Sequence, residues 1–147
     1  MSNKIDKFEN EYAFLSNFYP CRIEIDGLIF DSTEAAFQAS KSKFLDVRKK
    51  FVGLNASQAR KLGRQIILRD DWEDVKIEIM EKVLREKFSN KNPELLKKLV
   101  DTGDNILIEG NWWNDTFWGI CRGVGENNLG KLLMKIREEF KEGKWYV

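Results

Sequence analysis

Glu34, Gln38 and Lys41 stand at positions i, i+4 and i+7. On a helix that spacing sets a carboxylate, an amide and an ammonium within roughly 40° of one another on one face. Such a set can hold a water, or a sugar and its leaving group. A carboxylate beside an anomeric carbon stabilises developing positive charge and can take a proton from the attacking water. The same residues admit a plainer reading: Glu34 falls three positions after Asp31, where a capping-box carboxylate belongs, and Gln38 and Lys41 can be solvated.

A second constellation is Gly110-Asn-Trp-Trp-Asn-Asp-Thr-Phe-Trp-Gly119, which holds three of the five tryptophans, Trp112, Trp113 and Trp118. Rings this large either plug a core or stack on a planar ligand. Asp115 among them is a candidate catalytic carboxylate, or a turn residue bonding its own backbone. A third is Arg122-Gly-Val-Gly-Glu-Asn-Asn-Leu-Gly130. Glycines ahead of a helix N-terminus suit phosphate, because backbone N–H groups and the positive dipole end point outward there. Their spacing does not fit the dinucleotide fingerprint, and on spacing alone a plain Asn cap with loop glycines explains them better.

The chain has no histidine, so it has no imidazole base and no His-ligated zinc. Cys21 and Cys121 are a hundred positions apart and form no CxxC pair; each reads as a reduced, buried small hydrophobe. No metal and no cofactor is expected. Carboxylates, lysines and backbone dipoles must carry any chemistry.

The elements that position these residues are legible in outline. Asp26-Gly27 between two apolar runs signals a hairpin. Asp31 or Ser32 can cap a helix running from Thr33 through Phe44. Asn55 and Gln58 have capping-box spacing ahead of Ala59, Leu62, Ile66 and Ile67. Trp72, Val75, Ile79 and Val83, with Met80 and Leu84, trace one stripe of a helix from Asp70 or Asp71 to Phe88. Asn92-Pro93 opens a further helix that Gly103 stops. Ile106–Glu109 reads as a short strand, 9–21 and 110–127 as loops without structure of their own, and 128–141 as a last helix. The fold class is mainly α, an α+β arrangement with a minor β-hairpin, in one domain spanning 1–147.

Charge is balanced overall, at 25 basic against 24 acidic residues, but 41–69 holds nine basic residues and only Asp46 as an acid. That local excess of eight points to an anionic partner, a phosphorylated ligand or nucleic acid, or else to a solvated face. No apolar run approaches the roughly 20 residues needed to span a bilayer, and Met1–Asp6 lack a signal core. A cytoplasmic protein with no membrane partner is expected.

Five segments in order resemble the YbiA-like, or NADAR, superfamily: Phe14-Leu-Ser-Asn-Phe18; Gly27 with Ser32-Thr-Glu34-Ala-Ala-Phe-Gln38-Ala-Ser-Lys41; Ala59-Arg-Lys-Leu-Gly63-Arg64; Asp71-Trp72-Glu with Val75 and Met80; and Asn114-Asp-Thr-Phe-Trp118-Gly119 leading through Asn127 to Gly130, Met134 and Arg137. The resemblance covers about residues 12–140. It implies a compact, mainly α, YbiA-like fold that binds ribosylated bases or ADP-ribose-like groups. It further implies an N-glycosidase acting on riboflavin-pathway ribosylaminopyrimidine phosphates or on ADP-ribosylated guanine in nucleic acid. A non-catalytic ADP-ribose- or NAD-binding module is the alternative. By motif position Glu34, Lys41 and Asp115 are the catalytic residues. Ser16, Asn17, Phe18, Gln38, Arg64, Trp72, Trp118, Gly119, Asn127 and Gly130 are the substrate contacts. The implied partner is a nucleotide or ADP-ribosylated small molecule, or ADP-ribosylated DNA or RNA held along 41–69. One departure is Ala35, where relatives commonly carry His after the glutamate.

Overall fold

A computed structural model describes residues 3–141; residues 1–2 and 142–147 lie outside the described part. In chain order the elements are β1 (Lys4–Ile5), a 3-10 helix (Asn10–Leu15), β2 (Ile23–Ile25), β3 (Leu28–Phe30), α1 (Thr33–Ala39), α2 (Leu45–Lys49), α3 (Ala56–Gly63), α4 (Trp72–Lys87), α5 (Pro93–Asp101), β4 (Ile106–Leu107), β5 (Gly110–Asn111), β6 (Ile120–Cys121) and α6 (Asn128–Lys141). The fold class is the expected one, mainly α with two-stranded β pairs. By contacts the chain divides into two units, Asn17–Asn92 and Met1–Ser16 with Pro93–Val147.

In the unit Asn17–Asn92, β2 and β3 form the expected antiparallel hairpin, in register Ile23↔Phe30 and Ile25↔Leu28. Asp26 at φ 51° and Gly27 at φ 82° supply the two positive φ angles that a type I′ turn requires. Beside this hairpin sits α1, whose seven residues are all buried. Its N-cap is Ser32, whose Oγ accepts the Ala35 N–H at 3.0 Å. Glu34 therefore does not occupy the capping-box position that an Asp31 cap would give it.

The helix also stops at Ala39 rather than running on to Phe44. Serines provide the local reason: Ser40 Oγ donates to the Ala36 carbonyl, and Ser42 Oγ accepts the Phe44 N–H. Tertiary structure completes the stop, because Arg69 donates its backbone N–H to the Lys41 carbonyl at 2.8 Å and its guanidinium to the Ser40 carbonyl. Next comes α2, a five-residue helix with no buried residue.

The capping box on α3 is complete: Asn55 Oδ1 accepts the Gln58 N–H and Gln58 Oε1 accepts the Asn55 N–H. This helix packs on α1, and the small residues Ala35, Ala36 and Ala39 of α1 and Ala56, Ala59 and Gly63 of α3 are all buried. α4 buries Trp72, Met80, Val83, Leu84 and Lys87 and packs on α1 and β2, while Val75 and Ile79 of the expected stripe are only half-buried.

In the other unit, α5 and α6 pack together, and α6 covers β4. Leu95, Leu99, Leu107, Leu129, Leu132, Leu133 and Ile136 are the buried set, with Ile5 brought in by the parallel β1–β4 pairing. Three features depart from the loops and boundaries expected from sequence. Residues 9–21 contain the 3-10 helix, 110–127 contain the parallel β5–β6 pair, and Lys4–Ile5 form a strand. None has a periodic signal, because two-residue strands are set by the partner backbone alone.

Lys87 is fully buried, with its Nζ 5.1 Å from the Phe88 ring centroid and 5.7 Å from that of Tyr19. Burial lowers its pKa to about 8, against which a Cys21 thiolate pulls only weakly. The ammonium is disfavoured by folding, so between pH 8 and the ordinary lysine value of roughly 10.4 the unfolded chain binds more protons than the folded one. Stability must then rise with pH in that window, by up to about 3 kcal/mol. Urea denaturation of the wild type and Lys87→Met from pH 7.5 to 10.5 tests this. The wild type should gain stability relative to the variant, and parallel profiles would refute the assignment.

Candidate active site

The site grows from the first turn of α1. Asn17 ties that turn down: its backbone carbonyl accepts the Glu34 N–H at 3.1 Å, and its Oδ1 accepts the Thr33 hydroxyl at 2.8 Å. Asn17 Nδ2 also reaches Met80 Sδ of α4 at 3.5 Å. With its backbone fixed in this way, Glu34 is only 9% exposed.

Gln38, one turn on and 6% exposed, donates Nε2 to Glu34 Oε2 at 2.8 Å. Its Oε1 is buried and accepts no hydrogen bond among the described residues. That oxygen lies against Gly63 of α3, where a Cβ would overlap Oε1 and come within 2.7 Å of Gln38 Cδ. Gly63 is therefore what lets the amide stand upright beneath the carboxylate. The sequence offered a signal for it in the small-residue series Ala56, Ala59 and Gly63, read there only as part of a motif.

Lys41 follows the end of α1 on a further helical turn, its N–H donating to the Gln38 carbonyl at 3.2 Å. This turn keeps Glu34, Gln38 and Lys41 together although the helix is shorter than expected. The Lys41 ammonium is half-buried, 6.0 Å from the centroid of the Trp72 ring. Its pKa is lowered, mainly by burial; Glu34 partly offsets this, while Arg64 and Arg60 push it further down. Trp72 is itself buried, its ring 5.0 Å from that of Phe37 and tilted by 57°.

Arg60 on α3 and Arg64 at its C-cap bring positive charge to this cluster, and the Arg60 guanidinium lies 6.0 Å from the Phe18 ring centroid. Phe18 also lines a cavity of about 680 Å³ with Cys21, Ser32, Asn55, Ala56 and Gln58. Cys21 is half-buried, and burial pushes its thiol pKa up.

The remaining predicted residues lie in the other unit, where their local roles are plain. Asp115 Oδ1 accepts the N–H groups of Phe117 and Trp118 at 3.1 and 2.9 Å, and Trp118 meets Phe117 edge-to-face at 4.8 Å. Asn127 is buried and bridges two segments, Nδ2 to the Leu107 carbonyl and Oδ1 from the Glu109 N–H. Gly119 and Gly130 are places of close approach: a Cβ would overlap Glu109 at the first and the Leu107 carbonyl at the second. Ser16 closes the 3-10 helix through its N–H to the Ala13 carbonyl. Asn127 at φ 54° immediately precedes α6 and its carbonyl accepts the Lys131 N–H, but its side chain is spent on Leu107 and Glu109 rather than on the helix.

Sequence charge could not say which of the nine basic residues are spent. Arg69 and Lys43 pair with Asp71, at 2.7 and 3.8 Å, and Arg48 pairs with Asp26 at 3.0 Å. Lys41 is engaged by Glu34. Lys49, Lys50, Arg60, Lys61 and Arg64 have no carboxylate partner among the described residues. Nor do the described residues contain any cluster of His, Cys, Asp and Glu that could hold a metal ion, or a helix long and apolar enough to cross a membrane.

Known proteins share this architecture. The chain is 41% identical over 140 residues to a riboflavin biosynthesis protein of Vibrio vulnificus, a match covering 91% of this chain and 37% of that protein. It is 38% identical over 136 residues to the N-glycosidase YbiA of Escherichia coli, covering 88% of this chain and 82% of that one. The chain thus spans little more than a third of the Vibrio protein and most of the E. coli one. The NMR structure of E. coli YbiA superposes with a TM-score of 0.85 at 34% identity, covering 100% of this chain and 90% of that one. A family model for the NADAR domain matches residues 5–141, which carry every element described above save Lys4 of β1, and the chain belongs to the NADAR family.

Proposed function

We propose that the chain is an N-glycosidase that hydrolyses the bond between a base and ribose in a phosphate-bearing substrate, with ADP-ribosylated guanine in nucleic acid as the favoured class. The observation that carries this reading is the buried Glu34, clamped by Gln38 and faced by a lysine whose ammonium is destabilised. Relatives named N-glycosidase and riboflavin biosynthesis protein support the reaction class. The five cations without carboxylate partners support a substrate with more negative charge than a single pyrimidine nucleotide carries.

The residues support the following course. In a ribosylamine the nitrogen lone pair opens the sugar, breaking C1′–O4′ and placing an iminium at C1′ while O4′ takes a proton. Lys41, as a neutral amine, adds to C1′. The bond from C1′ to the base nitrogen breaks, and the base departs with the proton that lysine gives up. Glu34 stabilises the positive charge at C1′ and takes a proton from the water that adds there, releasing ribose and restoring the amine. Burial, with Arg64 and Arg60 close by, shifts Lys41 toward the neutral amine that this step uses, and the two arginines meet the substrate phosphate.

Glu34→Gln should keep the fold and lose about 10²–10⁴-fold in kcat, read as released base or ADP-ribose by mass spectrometry. Near-full activity would sink the assignment, and tight binding without release by the wild type would leave a binding module. Gly63→Ala should push Gln38 off the carboxylate and lower kcat roughly ten- to a hundredfold with little change in KM; an unchanged kcat would remove Gln38 from the mechanism.

Arg64→Gln removes a positive neighbour and so raises the Lys41 pKa. The limb of the pH–rate profile that reports amine formation should move to higher pH. Cyanoborohydride should trap a sugar adduct on Lys41 in the wild type and none in Lys41→Arg. An unmoved limb and no adduct would mean that Glu34 acts on water directly.

A further inference from the structure

The loop between β5 and β6 displays two tryptophans at its tip, Trp112 at 77% exposure and Trp113 at 41%. Nothing in the reaction proposed above uses them. Exposed rings of this size ordinarily fold back onto apolar surface, since their burial is worth a few kcal/mol each. Here the backbone prevents it. Asn111 clamps the loop from both sides, its Oδ1 accepting the Asp115 N–H at 3.0 Å and its Nδ2 donating to the Asp115 carbonyl at 2.9 Å. Asp115 in turn fixes the next two N–H groups, and Asn114 holds a φ of 68°.

Trp112 and Trp113 meet edge-to-face, centroids 5.5 Å apart and planes at 85°. In that geometry one ring spends an edge and the other a face, so flat π surface remains open on both. The Arg122 guanidinium donates to Asn114 Oδ1 at 3.3 Å and is exposed, with no carboxylate partner among the described residues. The acids of the segment are mostly committed: Asp115 to backbone N–H groups and Glu109 Oε2 to Asn111 Nδ2 at 3.0 Å. Glu126 alone among them is fully on the surface. Asn111 is spent on holding the loop, which leaves the exposed Asn114 NH2 and Thr116 hydroxyl as polar groups that suit base edges, with Val124 the single exposed aliphatic of the segment.

We infer that Trp112, Trp113 and Arg122 form a stacking platform for an unpaired nucleobase and its phosphate, so that the chain takes single-stranded nucleic acid. The proposal deepens the function argued above and rests on it for the identity of the reacting group, but the platform itself needs no turnover. A duplex keeps its base faces stacked on one another and cannot use it. An abasic strand has the phosphates and lacks the faces.

The test is binding of a labelled, unmodified single-stranded 12-mer, read by fluorescence anisotropy, for wild type, Trp112→Ala/Trp113→Ala and Trp112→Phe/Trp113→Phe. The Ala pair should weaken binding roughly tenfold or more, and the Phe pair, which keeps flat rings, should retain most of it. An abasic 12-mer should bind the wild type about as weakly as the intact strand binds the Ala pair. Arg122→Gln should lower the dependence of log affinity on log salt by roughly one contact. Equal binding by wild type and Ala pair would overturn the platform, as would equal affinity for abasic and intact strands, or tighter binding of duplex. If ring-dependent binding is found while Glu34→Gln retains activity, the platform stands and the catalytic reading falls.

Discussion

A carboxylate 9% exposed is a costly thing to build, because an ionised group taken out of water loses several kcal/mol of solvation unless charge and hydrogen bonds replace it. Much of the unit Asn17–Asn92 can be understood as meeting that demand for Glu34. Gln38 gives an N–H, Lys41 gives the opposite charge whenever it is protonated, and Gly63 gives Gln38 the room to stand where it does. The requirement then spreads outward. α3 packs on α1 and brings Gly63 against Gln38, with Ala56 and Ala59 also buried along it. A helix as short as α1 has no stability of its own. It is held by a Ser32 cap, by Asn17 at one end and by Arg69 at the other.

The same arrangement explains why Lys41 differs from the other lysines of its segment. Alone beside Glu34 in water it would be a stable ammonium. Half-buried, and with two guanidiniums one helix away, it sits where the charged form is disfavoured while its carboxylate neighbour keeps the shift moderate. The basic segment thus divides by environment into three kinds. Some cations are locked into ion pairs, one is half-buried beside Glu34, and the others have no carboxylate partner among the described residues.

How much of this could be read from residues alone depended on range. Signals spanning three to eight positions were legible: the capping box of α3, the Asp26-Gly27 turn, the Pro93 start of α5, and α6. The i, i+4, i+7 set was also legible, and it survived an error in the helix boundary because the turn through Lys41 continues the same geometry. What sequence could not supply was anything decided by a distant partner. Arg69 closing the end of α1, Asp71 and Asp26 neutralising three cations, and the two-residue strands have no local periodicity to announce them. The motif around Gly63 was visible, but its physical reason was not, since the atom that a Cβ would strike belongs to Gln38, twenty-five positions earlier.

The Ala35 position shows how the packing bears on the chemistry. The family resemblance implies a histidine after the glutamate, so alanine here could be taken as the loss of a proton carrier. Ala35 is 0% exposed, and its N–H is bonded to Ser32 Oγ. On an α-helix the next residue is turned about 100° from its predecessor, so the position does not share the face of Glu34, Gln38 and Lys41. An imidazole added there would enter the packed interior of the helix contact rather than join the carboxylate and the amine. In the course proposed above the protons pass between Glu34, Lys41, water and the leaving base, so that reading asks for no imidazole in a chain that has none.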